Sequence, residues 1–253
     1  MKLRCGGREA DCRLVIVDKD GTVIDFPSLW VPIVRARARF IVEEAGVNPS
    51  LEPALLRAFG YDPDLERIDP RGPLAIAPRA ESTVIGATLL YGAHVPWEDA
   101  MAAVRRAYRR ADDAVDPTRT ARAIPGVARA LQRLRAAGAR LAVATTDTTA
   151  QARRGLEALG VTELFDAILG ADGVSLTKPH PEMVLRLCEG TGVAPGETVV
   201  VGDAVADILM GREAGAALTV GVLTGVTTEA ELGAHADVVV SSLADLVPAL
   251  ARD

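Results

Sequence analysis

Leu14-Val15-Ile16-Val17-Asp18-Lys19-Asp20-Gly21-Thr22-Val23 is an apolar run that ends in two carboxylates one residue apart, followed at once by a glycine. Three β-branched residues in four fit a strand buried on both faces, as in a parallel sheet. In open α/β sheets ligands gather beyond the carboxyl ends of such strands, so this pattern delivers Asp18 and Asp20 together to a loop at that end. The Asp20-Gly21 pair is also a common turn former, so the string gains its meaning from the rest of the chain.

Three more strings occur in order, each at the end of an expected element. Thr145 follows Leu141-Ala142-Val143-Ala144, Lys178 sits in Thr177-Lys178-Pro179, and Gly202-Asp203-Ala204-Val205-Ala206-Asp207 follows Thr198-Val199-Val200-Val201. With these four strings the chain resembles the haloacid dehalogenase superfamily, and within it the phosphatase branch with a helical cap. The matching core spans about residues 13–25 and 124–250; the intervening segment matches only in position and helical character.

Outside the motifs the sequence alternates helix and strand. From Pro125 a helix over 126–137 precedes the strand ending at Thr145, and Thr148 with Gln151 forms a capping box for a helix running to about Leu159. Strands are expected at 165–169, 198–201, 218–222 and 238–240. The expected fold is therefore α/β, a Rossmann-like, mainly parallel core with an inserted all-helical cap. The core comprises residues 1–25 and 122–253, and the cap residues 26–121. Within the cap, Ser28 caps a helix running to about Ala45 and stopped by Gly46, with further helices near 51–59, 79–92 and 97–111. The arginines at 35, 37 and 39 read as a solvated helix face, whereas Arg67, Arg71 and Arg79 are candidate cations for an acidic substrate. Met1–Arg13 carries Lys2, Arg4 and Arg8 with no apolar stretch behind them and reads as a loose leader rather than a secretory signal.

Composition narrows the function classes. A net charge of −6, with arginines spread along helices rather than massed, argues against nucleic acid as a partner. The longest uncharged run, Ala214–Thr228, is diluted by Gly and Thr and falls short of the roughly 18 apolar residues of a membrane span. Three cysteines, Cys5, Cys12 and Cys188, without metal-ligand spacing fit reduced thiols in a cytoplasmic protein; Cys188 reads as core. A monomer or homodimer acting on a small molecule is expected.

The chemistry follows from residue types. Transfer of a phosphoryl group requires cations around its oxygens and a nucleophile in line with the leaving group. A carboxylate can accept the group covalently, and a hard oxygen-liganded cation such as Mg²⁺ relieves repulsion between anionic nucleophile and anionic substrate. The resemblance implies Asp18 as nucleophile and metal ligand, and Asp20 as acid/base with its backbone carbonyl on the metal. It further implies Thr145 as a donor to a phosphoryl oxygen, Lys178 as the cation facing phosphate and Asp18, Asp203 as a direct metal ligand, and Asp207 in support. Thr146 is the alternative hydroxyl, though the end of the apolar run favours Thr145, and Gly21 makes the turn. Asp147 reads as a loop or capping residue and His180 as non-catalytic.

Asp20 separates branches of the superfamily. A phosphate ester leaves as an alkoxide that needs a proton, whereas a halide does not, and the membrane ATPases of the superfamily carry Thr at that place. The reading is a Mg²⁺-dependent phosphatase of a small phosphate monoester, phosphoglycolate-like as the first guess. Sugar-phosphate or nucleotide phosphatases, a phosphomutase, and a non-catalytic binding protein on the same fold are the alternatives. Substrate choice is expected to lie in the cap, with hinges near 25–27 and 122–126.

Overall fold

The computed structural model describes residues 1–249. The chain forms two compact units: one holds Met1–Phe26 and the chain from Ala121 onward, the other Pro27–Thr120.

The first unit is built on a six-stranded parallel sheet. Its strands lie in the order Val238–Val240, Leu218–Val222, Thr198–Gly202, Leu14–Val17, Arg140–Ala144 and Ala167–Leu169. Leu14–Val17 is central, paired in parallel register with Arg140–Val143 on one side and Thr198–Val201 on the other. Successive residues of a strand face opposite ways. Val15 and Val17 therefore join Leu141, Val143, Val199 and Val201 on one face, covered by Val127, Leu131 and Leu134 of the Val127–Ala136 helix. Leu14 and Ile16 join Ala142, Ala144 and Val200 on the other, covered by Met183, Val184 and Leu187 of the Glu182–Thr191 helix. Each fully buried aliphatic side chain here stabilises the fold by about 1.5–3 kcal/mol, which explains a strand with no polar residue until its end.

The amino terminus differs from the expected leader. Lys2–Cys5 and Arg8–Asp11 form an antiparallel hairpin, and Val247–Pro248 pairs on the other edge of Lys2–Cys5. Leu3, Cys5 and Cys12 are buried in the core. The physical signal is the alternation Lys2, Leu3, Arg4, Cys5, exposed and buried in turn, followed by Gly6-Gly7 with both φ positive (50° and 79°). Adjacent glycines in that region suit the two-residue hairpin turn that matches strand twist.

The second unit packs the helices Phe26–Ala45, Glu52–Ala58, Arg79–Gly92 and Trp97–Ala114 around Ile41, Leu55, Phe59, Leu90, Val104 and Tyr108. A two-residue ladder, Tyr61–Asp62 against Arg67–Ile68, interrupts the otherwise helical insertion. The first helix starts two residues before Ser28, because Pro27 needs no N–H partner in a first turn. Arg37 corrects the solvated-face reading. It lies between Val34 and Ile41 on the inward stripe, 7 % exposed, with its guanidinium 4.3 Å from the Tyr108 ring centroid and 3.8 Å from Asp112. Arg79 pairs with the same Asp112 at 2.6 Å and lies over the same ring. A shared aromatic face and carboxylate outweigh the cost of burying one guanidinium.

Candidate active site

Strand register sets the site. Val17 is the partner of both Val143 and Val201, so Asp18 leaves the sheet beside the segments that carry Thr145 and Asp203. The Asp18 amide continues the ladder to the Val201 carbonyl (2.8 Å), and the chain then turns sharply. The Lys19 carbonyl accepts from the Val23 and Ile24 amides (both 2.9 Å), and Gly21 takes φ +82° to close the turn. That conformation is strained for residues with a side chain.

Lys178 is the hub. Its Nζ lies 2.5 Å from Asp18 Oδ1 and 2.6 Å from Asp207 Oδ1, and its side chain is 4 % exposed. Asp207 uses Oδ2 to accept from the Ala204 amide (3.0 Å) across the first turn of the Val205–Glu213 helix. Lys178 comes from the loop before the Glu182–Thr191 helix, where the Glu182 carboxylate accepts from the Ser175 and Leu176 amides (3.0 and 2.9 Å). His180 accepts from the Glu182 amide through Nδ1, a structural role.

Asp203 is buried and accepts from the Thr22 hydroxyl (3.1 Å). No basic side chain forms an ion pair with it among the described residues. Asp18, Asp203 and Asp207 each offer an oxygen, and these oxygens all lie within 4.8 Å of one another. Burial and the Asp18 and Asp207 charges push Asp203 well above the usual carboxylate range. Asp18 is raised to about 6, where burial outweighs the Lys178 ammonium and the Asp207 charge adds to the rise. Buried like charges with one shared ammonium form a donor set that suits a hard divalent cation.

Asp20 lies outside that trio. Its Oδ1 accepts from the Lys19 ammonium, and Lys19 also meets Asp147 Oδ2 at 3.1 Å. Burial raises Asp20 to about 6 against the pull of Lys19, with Asp147 and Asp18 adding to the rise. From the sequence, Lys19 has no role at the site and Asp147 reads as a loop or capping residue; a lysine flanked by two aspartates is the available signal. Thr145 is buried, and its hydroxyl accepts from the Asp147 amide (3.2 Å), whereas Thr146 is exposed.

Comparison with known proteins identifies the family. Residues 12–215 match the model of the haloacid dehalogenase-like hydrolases. The chain belongs to that family. It is 31% identical over 241 residues to the probable phosphatase IndB of Dickeya dadantii (strain 3937), covering 93% of this chain and 92% of that one. Against the phosphoglycolate phosphatase of Escherichia coli (strain K12) it is 37% identical over 129 residues, half of each chain. Its fold is shared with the crystal structure of a predicted phosphoglycolate phosphatase from Haemophilus somnus 129PT, with a TM-score of 0.71 at 23% identity, covering 93% of this chain and 96% of that one.

Proposed function

We propose that this hydrolase cleaves a phosphate monoester of a small molecule through a phosphorylated Asp18. The observation that carries the reading is the convergence of Asp18, Asp203 and Asp207 on one another, with the Lys178 ammonium on two of them. Three carboxylates and one ammonium at one sheet end, largely buried, leave an excess of negative charge that is costly unless a divalent cation offsets it, and only then can an anionic ligand approach. The names of the relatives, phosphatase and phosphoglycolate phosphatase, support the same class.

Asp18 and Asp203, with the Asp20 carbonyl and Asp207 in support, would hold Mg²⁺, a hard cation that favours oxygen donors. When bound, the ion supplies charge neutralisation for the phosphoryl oxygens. Lys178 keeps one Asp18 oxygen fixed and leaves the other to attack phosphorus. As the Asp18 Oδ–P bond forms, the P–O ester bond breaks and its electron pair goes to the leaving oxygen, which takes the proton of Asp20. The Thr145 hydroxyl is assigned to a phosphoryl oxygen. Asp20, now a carboxylate, takes a proton from water as that water attacks phosphorus. The P–O bond to Asp18 breaks, and inorganic phosphate leaves with the starting protonation restored. A carboxyl group raised to about 6 exchanges protons readily near neutrality, as both halves of this cycle require.

Phosphoglycolate is the first ester to test, beside pentose and hexose phosphates, nucleoside monophosphates and an aryl phosphate. Phosphate release that needs Mg²⁺ and falls by at least about 10³-fold in Asp18→Asn is expected, with folding checked by circular dichroism. Activity retained in Asp18→Asn or in chelator would reject the mechanism.

A further inference from the structure

A fully buried lysine calls for an explanation beyond packing. The Lys19 side chain is 1 % exposed, and its stem runs past Ile24 to Gly155 of the Thr149–Ala158 helix, where an added Cβ would come 4.0 Å from Lys19 Cδ and 3.1 Å from Ile24 Cδ1. An apolar side chain of similar length would fill that channel without the several kcal/mol needed to desolvate an ammonium. Among the described residues the ammonium pairs with Asp20 Oδ1 and Asp147 Oδ2.

The Asp147 backbone is itself hydrogen-bonded on both sides. Its amide donates to the Thr145 hydroxyl (3.2 Å), and its carbonyl accepts from the Ala171 amide (2.8 Å). The loop after the Arg140–Ala144 strand is thus tied to the loop after Leu14–Val17 through one lysine. Among the described residues no hydrogen bond engages Asp20 Oδ2.

We propose that Lys19, anchored on Asp147, is a positioning residue for proton transfer: it holds Asp20 by Oδ1 and leaves Oδ2 to exchange the proton with the leaving oxygen and then with water. The inference rests on the acid/base role given to Asp20 above. It assigns Asp147 a place in the same device, one step removed from the reacting atoms. A group held within a fraction of an ångström of its target works far better than one that samples rotamers.

The test is the dependence of kcat/KM on the leaving group, since this quantity covers only steps up to departure of the ester oxygen. It compares 4-nitrophenyl phosphate, whose leaving group needs little protonation, with the best alkyl ester of the panel. In Lys19→Met the alkyl ester is expected to lose about 100-fold and the nitrophenyl ester less than about fivefold, the split also expected of Asp20→Asn. Because Lys19 acts through Asp20, Lys19→Met is expected to cost less than about threefold more when added to Asp20→Asn. Asp147→Asn, at a side chain 16 % exposed, is expected to show the same split at smaller size and carries the test if Lys19→Met does not fold. Equal losses on both esters, or full additivity with Asp20→Asn, would overturn the positioning role while the phosphatase reading stands. Asp20→Asn without any split would overturn the role of Asp20 and this proposal with it.

Discussion

Asp203 shows how closely single residues are specified around the site. Two glycines pack against it: a Cβ on Gly225 would come 1.7 Å from its Oδ2, and one on Gly21 2.4 Å from the same atom. Asp203 has too short a side chain to yield without moving its carboxylate. Gly225→Ala is therefore expected to displace an oxygen of the carboxylate trio proposed to hold the cation, while the buried sheet behind it stays intact. The concentration of Mg²⁺ giving half-maximal phosphate release should rise by about tenfold or more, a size typical of disturbing a metal site's surroundings. A metal titration with unchanged midpoint would show that Asp203 does not hold the ion. Lys178 illustrates the converse situation. Burial alone would lower its affinity for a proton, but the Asp18 and Asp207 carboxylates more than offset this and keep it charged.

Among the elements, the hairpin Lys2–Cys5 and Arg8–Asp11 has the most direct consequence. It seals one edge of the core, and burial pushes both the Cys5 and Cys12 thiols up to about 11. Cys188 is buried on the opposite face of the sheet, its thiol also raised by burial. A thiol reacts as its thiolate, so none of the three is expected to react with a disulfide reagent in the native protein. A Cβ on Gly6 would fall 2.3 Å from Val238 Cγ2 and would also have to accept φ +50°. Gly6→Val should therefore loosen the hairpin and make Cys5 and Cys12 reactive before global unfolding. Rapid titration of two thiols in the unaltered chain would contradict the burial of this element.

Over the whole molecule, the buried carboxylates tie stability to pH and to metal. Asp18 and Asp20 sit near 6 and Asp203 well above its ordinary value, while in the unfolded chain all three return to about 4. Between these values the native state binds more protons than the unfolded state. Stability in chelator therefore falls as pH rises from about 4 through 6, and the loss persists at neutrality. A cation that binds only the native state reverses the deficit and competes with those protons. The Tm gain on adding Mg²⁺ should accordingly be larger near pH 7.5 than near pH 5, by several degrees, and should shrink in Asp203→Asn. An equal gain at both pH values would separate the carboxylate trio from metal binding.

The sequence by itself determined the parallel α/β core, because runs such as Leu14–Val17 and Thr198–Val201 are apolar on both faces and end where charge begins. It also marked Asp18, Thr145 and Asp203, each just past the end of an apolar run, which is a local pattern, whereas Lys178 and Asp207 were singled out by the resemblance of the four ordered strings. Tertiary structure alone decided the contacts between segments far apart in the chain. The leader became a hairpin anchored by two buried side chains because Val247–Pro248 pairs with it and the sheet core accepts Leu3 and Cys5. Arg37 became core because Tyr108 and Asp112, some 70 residues on, supply its partners. Lys19 and Asp147 likewise found each other across more than 120 residues, and a pairing that is local in space carries no local signature in the chain.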